Sequence, residues 1–167
     1  MYNLAVKQEN GPIPSRQADL LLKIELFSNP ELLCVVRGAM ERLTESMGFS
    51  ERACRSITRA VDEALTNIIR HAYAGRPNRP IVLTCYRTKK TAESEPAQGL
   101  EIVLQDQGAP ADPAKMRGRS LDEIKPGGLG LHYIRESMDV VEFSNSGGAN
   151  QLRLVRYTRP ENTVQDS

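Results

Sequence analysis

Between residues 57 and 72, the apolar residues Ile57, Val61, Ala64, Leu65, Ile68 and Ala72 recur at three- and four-residue spacing. That spacing lines apolar side chains along one stripe of an α-helix and commits the stretch to lie on a core. Glu63, Asn67 and His71 follow one another at four-residue steps in the same stretch. Each step turns about 40° past a full circle, so the three polar heads form one slowly drifting line on another side. A helix with a core stripe on one side and a carboxylate, a carboxamide and an imidazole in file on another can floor a site. The same three residues also fit a plain solvated face. Ser50-Glu51-Arg52 starts this helix and Ala74-Gly75-Arg76-Pro77 ends it, so it runs to about Tyr73, long enough to lie across a sheet.

The rest of the chain supplies the sheet and two more helices. Leu22, Ile24 and Leu26 alternate with Lys23 and Glu25, a strand facing a core on one side. Ser28-Asn29-Pro30-Glu31 opens a helix whose apolar residues recur from Leu32 to Met47, with Gly48 as the stop. Strands are expected at Ile81–Arg87 and Leu100–Asp106, joined by a polar hairpin loop from Thr88 to Gly99. Residues 107–127 form a long stretch poor in apolar side chains, read as a lid. Helical spacing returns from Gly128 to Met138. Strands at Val140–Phe143 and Gln151–Tyr157 then flank an Asn145-Ser146-Gly147-Gly148 turn. The expected architecture is an α+β two-layer sandwich, helices on one face of a mixed, mostly antiparallel sheet. Residues 1–17 read as a flexible lead-in, 18–158 as a single domain and 159–167 as a frayed tail.

Composition narrows the class of function. The 167 residues include 22 basic and 21 acidic ones, a net charge of +1, so no global field recruits nucleic acid or an anionic membrane. Aromatics are 5% with no Trp, which leaves few stacking platforms for single strands. The three cysteines, Cys34, Cys54 and Cys85, lie far apart without C-x-x-C spacing. They read as buried thiols of a reducing compartment rather than a disulfide framework or zinc site. No run approaches the ~18 apolar residues of a membrane span, and the N-terminus has no signal-peptide pattern, so the cytoplasm is expected.

Two glycine-bearing stretches give the polar file of the long helix a chemical meaning. Asp106-Gln107-Gly108-Ala109-Pro110 follows directly on a strand. An Asp at a strand end, before a Gly that lets backbone approach closely, can accept a hydrogen bond from an exocyclic amine such as that of adenine; it is also an ordinary turn sequence. Pro126-Gly127-Gly128-Leu129-Gly130-Leu131 leads into a helix. There, exposed backbone N–H groups and the positive end of the helix dipole suit phosphate, and a plain glycine hinge would read the same. Lys115, Arg117 and Arg119 in the lid could reach a triphosphate or be solvated.

Taken together, Glu-x-x-x-Asn-x-x-x-His-Ala-Tyr (Glu63 to Tyr73), Asp-x-Gly-x-Pro (Asp106 to Pro110) and Gly-Gly-Leu-Gly-Leu (Gly127 to Leu131) resemble the N, G1 and G2 boxes of GHKL-type ATPases. The nearest likeness is to anti-sigma-factor serine kinases of the RsbW and SpoIIAB kind, over about Leu20 to Tyr157. The resemblance implies the Bergerat fold with ATP between the long helix and the lid. Asn67 would hold Mg²⁺ against the phosphates, and Glu63 would orient or deprotonate the attacking hydroxyl. Asp106 would read the adenine amine with Gly108 beside it. Gly127, Gly128, Leu129, Gly130 and Leu131 would cradle phosphate through backbone amides, and His71 would pack at the helix end. The implied activity is a serine/threonine-protein kinase and anti-sigma factor, a chemistry that asks little of the protein beyond positioning and charge neutralisation. Its partners would be a STAS-type anti-anti-sigma protein and a sigma factor, and the chain itself a homodimer. The alternative is a nucleotide-gated protein-binding module of the same fold without transfer. The catalytic half of a sensor histidine kinase ranks third, because both histidines, His71 and His132, lie within the ATP-binding region.

Overall fold

The computed structural model describes residues 17–90, 97–110 and 129–158. Five alternating stretches become strands: β1 (Leu20–Phe27), β2 (Pro80–Lys90), β3 (Ala97–Asp106), β4 (Val140–Ser146) and β5 (Ala149–Tyr157). They form one sheet of order β1-β2-β3-β5-β4 in which every pairing is antiparallel. Side chains alternate between faces along each strand, so register decides which residues meet. One row across the helix-covered face is Leu22, Cys85, Ile102, Leu154 and Val141; the next is Ile24, Leu83, Leu104, Leu152 and Phe143. The third row begins apolar with Leu26 and Ile81 and ends with Asp106, Asn150 and Asn145. The core therefore gives way to a polar edge at the end of β3.

Among the described residues, three helices cover that face. A 3₁₀ turn, Pro30–Leu32, leads into α1 (Leu33–Ser46). The Ser50 hydroxyl caps α2 (Glu51–Asn67) by accepting the Ala53 N–H at 3.3 Å. α3 (Leu129–Ser137) follows the long connection after β3. Ile57, Ala60, Val61, Ala64 and Leu65 of α2 are buried in one cluster with Met40 of α1, Ile134 of α3, and Leu83, Ile102 and Leu154 of the sheet. α2 is thus the middle helix, flanked by the other two. Arg37 of α1 pairs with Asp62 at 2.8 Å, and the Arg59 guanidinium lies 4.3 Å from the centre of the Tyr133 ring on α3. On the sheet's other face Arg153 bridges Glu101 and Glu142, at 2.9 Å each. Burial works against its charge, but the two carboxylates more than offset this and hold the guanidinium above its ordinary value.

The expected sandwich is present, and its details differ in physically simple ways. Thr88, Lys89 and Lys90 pair with Gly99, Gln98 and Ala97, so strand occupies both ends of the expected hairpin loop. The last turn tightens to Gly147-Gly148, both at positive φ, which places Asn145 and Ser146 in β4 and Asn150 in β5. The tail of α2 continues as a π-helical turn, Ile68–Ala72. The expected lead-in up to residue 16, most of the lid including Lys115, Arg117 and Arg119, and the tail from residue 159 lie outside the described residues. No helix among the described residues is long and apolar enough to cross a membrane.

Cys34 corrects the expectation of three buried thiols: it is exposed, while Cys54 and Cys85 are buried. Leu33 and Val36 take the core-facing positions of α1, leaving Cys34 on the solvent side. Burial pushes the Cys85 thiol up to about 12, so it carries no thiolate at pH 8. Alkylation followed by mass mapping should modify Cys34 in the folded protein, and Cys54 and Cys85 only after unfolding in urea.

Candidate functional site

Glu63 and Asn67 stand one turn apart on α2, both half-buried. The first turn of α3 meets the helix at Glu63. A Cβ built on Gly130 would overlap the Glu63 carboxyl group and lie 2.8 Å from its Cγ. The missing side chain at Gly130 lets the Glu63 carboxyl lie directly against the start of α3. Gly130 and Leu131 are half-buried there, and Leu129 opens the helix; Gly127 and Gly128 lie outside the described residues.

A second backbone approaches at the far end of the same helix. A Cβ on Gly108 would meet the Ala72 carbonyl oxygen at 2.5 Å and its carbonyl carbon at 2.6 Å. The Ala109 N–H donates to that same carbonyl at 2.8 Å. The Asp106–Ala109 loop is therefore docked on the C-terminal turn of α2, and the α3 start on its middle. Asn67 lies between the two docking points along the chain.

The π-helical turn between Asn67 and Tyr73 shapes this junction. The Tyr73 N–H reaches back five residues to the Ile68 carbonyl at 3.0 Å. A turn closed over five residues is wider than an α-turn, so each residue advances by a smaller angle. His71 consequently falls short of the line through Glu63 and Asn67 and is exposed. The expectation that it packs at the helix end is not met. Tyr73 takes the buried position instead. Its hydroxyl donates to the Pro80 carbonyl at 2.5 Å and accepts the Gln107 N–H at 2.9 Å. Burial is the main reason its phenol stands above the ordinary value. A raised folded value means this clamp contributes fully below the unfolded phenol's value and is lost as pH climbs through the folded one.

Asp106 is buried, and its Oδ1 accepts the Gly108 N–H and the Asn150 side-chain amide, both at 2.8 Å. Asn150 also donates to the Gly108 and Ala109 carbonyls at 3.2 Å each, and its own oxygen accepts the Asn145 amide at 2.7 Å. Sequence reading missed Asn145, Asn150 and the anchoring role of Tyr73. The signal was present in the alternation: Asn145 shares parity with Val141 and Phe143, and Asn150 with Leu152 and Leu154. Each continues an inward-facing row by one polar residue.

An open pocket of about 190 Å³, lined by Tyr73, Arg76, Arg79 and Gln107 among others, lies beyond the end of α2. It does not reach Glu63 or Asn67 and is small against the ~300 Å³ lower bound for ligand sites. No group of three or more His, Cys, Asp or Glu among the described residues could hold a metal alone. A divalent cation at Asn67 would need oxygens from its ligand.

An antiparallel sheet carrying a long central helix, with glycine-bearing segments docked at the middle and end of that helix, defines an ATP-binding domain of the histidine kinase-like class. The chain belongs to that family: residues 26–156 match the histidine kinase-like ATPase domain. Among its relatives, the serine/threonine-protein kinase BtrW of Bordetella bronchiseptica is 32% identical over 117 residues, covering 68% of this chain and 77% of that protein. The serine-protein kinase RsbW of Bacillus subtilis is 23% identical over 154 residues, covering 87% and 91%. Two solved structures share the fold. The RsbU and RsbW domains of Rv1364c from Mycobacterium tuberculosis align with a TM-score of 0.52 at 15% identity, over 84% of this chain and 34% of that one. The SiaB–SiaC complex from Pseudomonas aeruginosa aligns at 0.55 and 12% identity, over 85% and 92%.

The two close approaches differ in what a methyl group would strike. At Gly108 it meets backbone of Ala72, which cannot yield without undocking the loop; at Gly130 it meets the far end of a flexible Glu side chain. Gly108→Ala should cost about 1–3 kcal/mol in urea unfolding. Gly130→Ala, an alanine in a helical turn, should stay within about 1 kcal/mol of wild type while displacing the Glu63 carboxylate.

Proposed function

We propose that this chain is an ATP-dependent serine/threonine-protein kinase that acts as an anti-sigma factor, phosphorylating a Ser or Thr of a STAS-type anti-anti-sigma protein and regulating a sigma factor by exchanging partners. The observation that carries the reading is the seating of Gly130 against the Glu63 carboxyl group, which sets a glycine-led helix start beside a carboxylate on the central helix. The kinase names of the relatives support it.

The residues present fit a magnesium nucleotide. Gly130 lies in the first turn of α3, where backbone N–H groups and the helix dipole favour negative charge. Asn67 offers an amide oxygen, a hard ligand that Mg²⁺ accepts alongside phosphate oxygens and water. Asp106 accepts the amine of adenine, and the Gly108 N–H holds one oxygen of its carboxylate in place. ATP supplies the γ-phosphoryl group. The proton of the attacking Ser or Thr hydroxyl passes to Glu63 as its oxygen bonds to phosphorus and the bond to the ADP oxygen breaks. Such transfer depends mostly on positioning and charge neutralisation. One carboxylate, one carboxamide and a backbone cradle are therefore sufficient protein chemistry.

Proteins captured by the purified chain from extract of its own cells, then given magnesium and radiolabelled ATP, should include one labelled on Ser or Thr. Glu63→Ala should lower that labelling by at least about a hundredfold with ATP affinity kept within about threefold. Capture that responds to ATP with no phosphoprotein formed would replace transfer with nucleotide-gated binding. Labelling undiminished in Glu63→Ala would remove this carboxylate from the reaction.

A further inference from the structure

Asp106, Asn150 and Asn145 face one another in register on β3, β5 and β4. Their side chains form a hydrogen-bonded file running from the exposed sheet edge to the buried carboxylate. Asn145 donates to the Asn150 oxygen at 2.7 Å, and Asn150 donates to Asp106 Oδ1 at 2.8 Å. The direction of the file is fixed chemically. The Asn150 nitrogen faces a carboxylate oxygen and two backbone carbonyls, all acceptors, so only the NH₂ end can lie there. One of its hydrogens goes to Asp106, and the other is shared by the Gly108 and Ala109 carbonyls. The Asn145 amide donates to the opposite end, in keeping with that orientation.

This arrangement saturates one side of the carboxylate. Oδ1 accepts both Asn150 and the Gly108 N–H, while Oδ2 has no partner among the described residues. We propose that Asn150, oriented by Asn145, is a positioning residue for base selection. It holds Asp106 with Oδ1 engaged and Oδ2 presented as an acceptor, so that an exocyclic amine is selected over a base lacking one. The proposal rests on the nucleotide reading above and assigns its selectivity to two residues that need not touch the ligand.

Calorimetry with magnesium ATP and with magnesium purine riboside triphosphate, which lacks the amine, separates this role from simple support of the loop. Wild type should bind ATP more tightly than the amine-free probe. Asn150→Ala should weaken ATP by at least about tenfold and the probe by no more than about twofold. Asn145→Ala, at an exposed position, should shift the same ratio in the same direction by about threefold. If Asn150→Ala fails to fold, the ratio in Asn145→Ala decides the matter. Equal losses for both nucleotides, or an unchanged ratio, would overturn the proposal. Absence of ATP uptake by folded wild type would instead overturn the nucleotide reading itself.

Discussion

Two glycines come to rest on one helix, Gly108 against its backbone and Gly130 against the Glu63 side chain, and the rest of the site depends on that proximity. Gly130 brings the start of α3 against the Glu63 carboxyl, and Gly108 brings the loop after β3 against the Ala72 carbonyl. The apolar stripe of α2 secures the helix on the sheet; the glycines then decide how near the other elements approach its polar residues. Stability and site geometry are thereby divided between residues on the same helix. Ile57, Val61, Ala64 and Leu65 are buried in the core, while Glu63 and Asn67 remain half-accessible.

The parts of this arrangement that repeat were legible in the sequence. Strand alternation and helical spacing named all five strands and placed the three helices, because burying one face of each element imposes those periods. The meeting of Gly130 with Glu63 was legible only through motif resemblance, since nothing in spacing tells residues 67 positions apart that they touch. The π-turn was hidden because Ile68 to Ala72 reads as ordinary helix on any propensity scale. Its widening is a tertiary effect, accompanied by the docking of Tyr73 between Pro80 and Gln107. Asn145 and Asn150 were obscured by their nearness to Gly147-Gly148, where asparagine is also a common turn residue.

The third row of the sheet shows how a polar site is built on the margin of an apolar core. Leu26 and Ile81 continue the hydrophobic face; Asp106, Asn150 and Asn145 replace it on the adjoining strands. A buried carboxylate without donors would be costly, and the Gly108 N–H and Asn150 amide supply them. The same bonds that make Asp106 tolerable at the core boundary also fix how it is turned. Folding and recognition draw on one set of contacts.

The π-turn also constrains the number of residues in the chain, beyond their identity. This turn already holds one residue more than an α-turn, so inserting another between Ile68 and Ala72 would carry everything after it round by about 100°. Tyr73 would then leave the Gln107 N–H, and the loop bearing Asp106 would lose its anchor on that side. Divergence within this segment can therefore proceed by exchange of side chains far more readily than by further lengthening.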